Sequence, residues 1–440
     1  MEPSDTRRYR ITGIDLWMAI AALVSAILLI FAATQTQAQT FTVIHDFTGG
    51  QDGSYPYTGL TIDRAGNLYG TAAFGGFQGN DCNLWGGCGV IFKLTRAGSA
   101  WVFSPLYRFK GFPSGDGSEP FGRVIFGPDG SLYGTTVYGG MATQNCGGSQ
   151  VGCGTVFKLN PPATFCRSVL CSWNETQLYA FHGAPDGAAP EGEIVFDSAG
   201  GLYGATDGGG AYSPWGTLFQ LTPAHGAWQE TVVYNFQEHL DGGGPRGGVV
   251  LDRSGNIYGT TWIGGAGNFG TAFQLTNSGS GWALNTLYSF GTGNNAFGNY
   301  GSGIFDAAGN YYGGTVNGDP DGDAYVYELS PSSGGWNYST LYVFPGCYGC
   351  GVAANLVMDA AGNLYGTTRG LVQTPDPYGS VFRLTLSGQG WIYTDLHDFT
   401  GGSDGEAPYS SVVLDAAGNL YGTTTQGGRY GYGVVWEITR

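Results

Sequence analysis

The chain has 440 residues, with 81 glycines, 19 prolines and a formal net charge of −16. Aromatic residues make up 15% and charged residues 11%, against about 25% charged in an ordinary globular domain. The aromatic content excludes disorder, the glycine content excludes long helices, and the acidic charge argues against nucleic acid or anionic membrane as a partner.

In chain order, Arg7, Arg8 and Arg10 precede an apolar run from Leu16 to Ala33, then polar Thr34–Gln37 and the small Ala38. A basic segment, an apolar segment and a Thr-Gln-Ala site predict a secretory signal peptide over residues 1–38, cleaved after Ala38. Retention as an N-terminal anchor is the alternative, since the run is nearly long enough to span a bilayer. No second run of that length follows, so no membrane span is expected once the signal is removed. The mature chain, 39–440, is then secreted, periplasmic or on the cell surface.

All eight cysteines lie beyond the signal. An even number in an exported chain predicts disulfides, here between sequence neighbours: Cys82 with Cys88, Cys146 with Cys153, Cys166 with Cys171, and Cys347 with Cys350. A redox role for Cys347-Tyr-Gly-Cys350 lacks the strand–helix setting it needs, and no histidine is spaced to complete a zinc site.

A tyrosine followed by glycine recurs at Tyr69, Tyr133, Tyr203, Tyr258, Tyr312, Tyr365 and Tyr421, which marks seven repeats. The base unit is near the length of a propeller blade, and two longer intervals hold cysteine-bearing insertions. Each unit reads as four short strands, a to d, rich in β-branched and aromatic residues and bounded by Gly or Asx. In the fourth unit these are Gly248–Asp252, Asn256–Thr261, Gly270–Thr276 and Trp282–Phe290. Strands a and b are joined by Asp-x-x-Gly-Asn, a tight turn in which the Asp side chain bonds turn amides. Asp63, Asp197, Asp306 and their equivalents therefore read as turn caps before they read as a carboxylate ring.

The last unit has three strands and ends with Gly433–Thr439. Its missing strand matches the mature N-terminus, since Thr42–Phe47 resembles Thr394–Phe399 and Thr231–Phe236. The predicted fold is all-β: a seven-bladed β-propeller of four-stranded blades, one domain, whose last blade is closed by the N-terminal strand. Closure removes the open sheet edges. The repeated Tyr, the Trp that opens strand d and the Phe that ends it are expected in the core.

The units Asp-x-x-Gly-Asn-Leu-Tyr-Gly-Thr-Thr, Gly-x-Val-Phe-x-Leu-Thr and Leu-Tyr-x-Phe-x-Gly-Gly-x-Asp-Gly resemble the GloVer tandem-repeat family of exported bacterial proteins, from about residue 41 onward. The resemblance implies a surface or secreted location and no assigned reaction. Members often end in a variable anchoring segment, whereas this chain stops at Arg440, so anchoring through such a tail is not expected. The a–b unit is also similar to NHL-type propeller repeats, which bears on fold only.

The long loops, b–c and d–a, share one face, the expected functional surface. The d–a loops carry a recurring Asp-Gly at Asp52, Asp116, Asp186, Asp241 and Asp404, usually followed by proline; units five and six lack it. A turn is the favoured reading and a cation-binding ring the alternative. The b–c loops carry aromatics flanked by glycine, from which Trp85, Tyr138, Tyr212, Trp215 and Trp262 are taken as candidate ligand-stacking residues. Trp85 lies inside the Cys82–Cys88 loop, which would hold it rigid. Asp319, Asp321 and Asp323 alternate as calcium ligands do, but lack the EF-hand glycine and glutamate positions. Calcium is the one cofactor considered, and none is required. His45 and His397 stand where other repeats have strand tyrosines. No HExxH, GxSxG or phosphate-cradling loop occurs. The expected function is non-enzymatic binding of a glycan or surface partner by a monomer. The alternatives are a polysaccharide hydrolase or lyase, and a structural surface protein.

Overall fold

The computed structural model describes residues 39–77, 82, 86–111, 114–140, 146, 152–162, 173–279, 281–291, 300–316, 323–346, 350–370 and 377–440. Phe41–Thr439 form one compact unit. Seven four-stranded antiparallel sheets follow one another as the blades of a β-propeller. No helix occurs among the described residues, and none there is long and apolar enough to cross a membrane.

In blade four the strands are Val250–Leu251, Ile257–Thr260, Thr271–Asn277 and Trp282–Ser289. Strand a is two residues long in every blade, shorter than its apolar pattern predicts. Its remaining residues turn into the d–a loop at the axis, where the blades converge. The last sheet has the order Thr40–Asp46, Val434–Thr439, Leu420–Thr424, Val413–Leu414, so the N-terminal strand is the outer strand of blade seven.

The motif Leu-Tyr-x-Phe has a structural reason. Strand d bulges against strand c in blades one to six, at Ile91/Phe92 in the first. The extra residue, Leu106 in blade one, turns inward and is buried, as a bulge permits. The closing Phe then docks on the strand-c aromatic of the next blade. The pairs are Phe47–Phe92, Phe109–Phe157, Phe181–Phe219, Phe236–Phe273, Phe290–Tyr327, Phe344–Phe382 and Phe399–Trp436, with centroids 5.1–6.1 Å apart. Each contributes about 1.5–3 kcal/mol from burial, with about 0.5–1.5 kcal/mol more from ring geometry.

The glycine after each repeated tyrosine makes room inside the blade. A Cβ at Gly70 would lie 2.5 Å from the Phe92 ring, and one at Gly259 would lie 2.7 Å from the Phe273 ring. The tyrosines themselves face the following blade, where Tyr133 meets Trp228 and Tyr312 meets Trp391 edge-on.

The turn aspartates are caps. Asp252 Oδ1 accepts the Ser254 and Asn256 backbone N–H groups, and Oδ2 accepts the Asn256 amide and the Tyr258 hydroxyl. The d–a aspartates do the same work one turn later. Asp116 accepts the Tyr107 hydroxyl at 2.9 Å and the Lys110 N–H at 2.9 Å. Asp404 accepts from His397 at 3.2 Å, and Asp52 lies 3.3 Å from the His45 ring nitrogen. The two histidines thus replace tyrosine as the strand-d partner of a turn carboxylate.

Cys82–Cys88 and Cys146–Cys153 are disulfide-bonded, with Cα–Cα distances of 4.9 and 5.1 Å. Cys350 is also disulfide-bonded. Cys166, Cys171 and Cys347 lie outside the described residues.

Candidate functional site at the channel mouth

The b–c and d–a loops of one blade pair with each other, as Gly117 with Gly139, Gly187 with Gly209 and Gly243 with Ile263, so the two loop sets share a face. In five blades the residue before the d–a proline or its neighbour takes the left-handed conformation: Tyr55, Glu119, Ala189, Gly244 and Ala407, with φ between 54° and 64°. The Glu119 N–H donates to Cys88 of the preceding blade, and its carbonyl accepts from Val137 of its own. These paired bonds hold the next residues of every such loop against the axis.

What they hold is a cavity of about 270 Å³ at the channel mouth. One repeat position supplies its wall from all seven blades: Tyr57, Phe121, Glu191, Arg246, Tyr300, Ala353 and Tyr409. One side of the wall is aromatic. Tyr57 meets Phe121 at 4.9 Å and Tyr409 at 5.7 Å between centroids, with planes 62° and 64° apart. Arg369 lies over the Tyr409 ring at 5.2 Å and donates to its hydroxyl at 2.8 Å.

The other side is ionic. Arg246 donates through Nε to Asp207 Oδ1 at 2.9 Å and through Nη2 to Oδ2 at 3.4 Å. Its Nη1 faces the Tyr300 hydroxyl at 3.4 Å, and its Nε is 3.8 Å from Glu191. The guanidinium is 5.5 Å from the Trp262 ring and 5.6 Å from Tyr300, and those rings stack at 4.7 Å. Two residues further along each loop a second tier begins, where Arg123 pairs with Glu193 at 2.8 Å and Asn355 bonds Ser302. A deeper cavity of about 410 Å³ shares Glu193, Asn355 and Ser411 with the first, so the channel continues inward.

Burial, with repulsion from Asp207, pushes Glu191 up to about 7 against the pull of Arg246. Burial alone pushes Glu119 up to about 7. Glu119 repels charge on Tyr57, Tyr138 and Glu191, and so stands near all three.

Of the residues picked from sequence, Trp262 packs on the wall residues Arg246 and Tyr300, and Tyr138 stands near Glu119, Glu191 and Asp207. Trp215 packs against the core shared with Tyr234 and Phe236, and its carbonyl accepts the Gly244 N–H. Tyr212 is exposed. Asp323 accepts the Gly346 N–H at 2.9 Å. Trp85, Asp319 and Asp321 lie outside the described residues. Among the described residues no group of three or more His, Cys, Asp or Glu side chains is placed to hold a metal ion.

Sequence reasoning missed Tyr57, Phe121, Glu191, Arg246, Tyr300 and Tyr409. A signal was present: they occupy a position that varies from repeat to repeat, next to small residues that recur and, except at Tyr300, after a proline. Asp207, Trp262 and Arg369 share a second such position, directly after strand b.

Fold and site together define a repeat-built β-propeller with a small-ligand-sized cavity at its axis. The Gloeobacter/Verrucomicrobia repeat model matches residues 29–176, 142–373 and 299–440, and the chain belongs to that family. No curated protein matches the sequence. Many solved structures resemble this chain, three of which are the following. A candidate gluconolactonase is 10% identical, with 92% of each chain covered and a TM-score of 0.41. A protein of unknown function from Dyadobacter fermentans is 12% identical, covering 78% of this chain and 98% of its own, with a TM-score of 0.42. A candidate glucose dehydrogenase from Thermus thermophilus is 13% identical, covering 91% and 100%, with a TM-score of 0.41. At that similarity they carry no argument.

Proposed function

We propose that this is an exported, non-enzymatic binding module that takes a glycan at the mouth of its central channel. Residues 1–38 are its signal peptide, and 39–440 are a single monomeric domain. The disulfides support export. One observation carries the binding reading: a single repeat position, variable where its neighbours recur, brings an aromatic wall and a polar wall around one cavity. Sugar rings present an apolar face to stack and hydroxyls to bond, which is the pairing these two walls provide.

The test is binding of the oxidised mature chain, from Gln39, to a panel of soluble polysaccharides with calcium and with chelator. Tyr57→Ala and Phe121→Ala should weaken saturable binding at least tenfold while melting within a few degrees of the parent. Unchanged affinity in both variants overturns the reading.

Cleavage of the same polymer is a second reading, favoured by the Glu119 and Glu191 carboxyls near 7, where a general acid works best. Release of new reducing ends, lost in Glu191→Gln, would replace binding with catalysis.

A further inference from the structure

We propose that the ligand taken at this mouth carries a positive charge, an ammonium group on a sugar ring, and that Glu191 receives it. The inference rests on the glycan-binding reading above.

Two carboxyl groups, Asp207 and Glu119, act on Glu191 on this side of the wall, and Arg246 is the guanidinium beside it. Its short contacts go elsewhere than Glu191. Nε and Nη2 go to Asp207, and Nη1 faces the Tyr300 hydroxyl. Glu191 stands 3.8 Å from Nε, within ion-pair reach and beyond hydrogen-bond length. Among the described residues no donor lies within hydrogen-bond distance of its carboxylate. Arg123 on the second tier is paired with Glu193. This side of the wall thus sets Glu191, Glu119 and Asp207 against one guanidinium, and the partly buried Glu191 accepts no hydrogen bond. A group in that setting is stabilised by a partner that brings both N–H bonds and positive charge.

The facing wall fits the same partner. Tyr57 and Phe121, tilted 62° to each other, line it with aromatic rings of the kind that attract cations, whereas Tyr409 already carries Arg369 on its own. The upward push on the Glu191 carboxyl, from burial first and repulsion by Asp207 second, accords with this geometry. A metal ion fits less well, since no three ligating side chains converge among the described residues.

The test is calorimetric titration at pH 7 of the oxidised mature chain with three tetrasaccharides of one linkage. One is built of glucosamine, one of N-acetylglucosamine and one of glucose. The amine-bearing tetramer should bind at least tenfold more tightly than the other two. The net charge of −16 attracts any oligoamine loosely, so the Glu191→Gln variant decides. It should bring the three affinities within about threefold of one another, the ordinary loss when one charged contact is removed. Equal affinities in the parent, or a preference that survives Glu191→Gln, overturn the charge assignment and leave glycan binding standing. Binding of none of the three also overturns it, and the polysaccharide panel then decides the glycan reading separately.

Discussion

Glu437, buried on the last strand, accepts the indole N–H of Trp101 in the first blade at 3.2 Å. The same carboxylate accepts from Arg96 at 3.2 Å and from Tyr421 at 3.1 Å. Residues more than three hundred apart in sequence are joined by one acid where the ring closes. Glu437→Ala should cost about 1–3 kcal/mol, because it leaves the half-buried Trp101 indole N–H without an acceptor and removes the Arg96 and Tyr421 contacts. Glu328, at the same position of blade five, accepts no comparable set, so Glu328→Ala should cost less than about 1 kcal/mol. Urea denaturation of both variants measures the difference, and equal losses would remove the closure role.

The hairpin caps set the acid limit of stability. Burial raises Asp63, Asp252, Asp306 and Asp359, but hydrogen bonds from Asn, Tyr and backbone N–H outweigh it and hold each below the usual aspartate value. Their stabilisation is complete above the unfolded value, near 4, and is lost as pH falls through the lower folded value. Glu119, Glu175, Glu191 and Glu230 are pushed to about 7, chiefly by burial. Their contribution is present below the unfolded value and is lost as pH rises toward 7. Thermal melts across pH should therefore peak at about pH 4, where the two unfolded values lie, and decline toward about pH 7. Glu119→Gln should flatten the alkaline side, and a maximum above pH 7 would contradict the assignment.

The two described disulfides clip short loops whose cysteines pack on blade cores. Closing so few residues removes little freedom from the unfolded chain, roughly 2 kcal/mol each. Reduction should lower the melting temperature by several degrees and leave the β-sheet circular dichroism at 25 °C intact. Unfolding on reduction alone would show that the bonds hold the ring itself.

Arg246 restrains the acid beside it. Replacing it with methionine removes the one positive charge that pulls on Glu191, so the carboxyl should titrate above about 7. Carbon-detected NMR of the Glu191 side chain reads this directly. The stability loss should be larger at pH 8 than at pH 5, since only the ionised acid needs the guanidinium.

Much of the fold was legible because a repeat states its rules seven times. Tyr69 and its six equivalents, the Asp-x-x-Gly-Asn turns and the orphan strand at Thr42–Phe47 are local signals, each readable from side-chain chemistry within a few residues. They determined blade number, strand order and ring closure. They also separated the turn caps Asp252 and Asp404 from catalytic acids, because a carboxylate four residues from its backbone donor is a local fact.

The site was another matter. Tyr57, Phe121, Glu191 and Arg246 come from four different blades, and nothing along the chain brings them together. Only the ring does, by pointing one position of every repeat at the axis. Trp215 and Trp262 sit in neighbouring loops of similar composition, yet one packs into a blade core and the other against the channel wall. Adjacent blades decide that, through packing and ion pairs between residues tens of positions apart. The repeat sequence determined the scaffold because its contacts are periodic, and the tertiary structure alone decided the site because its contacts are not.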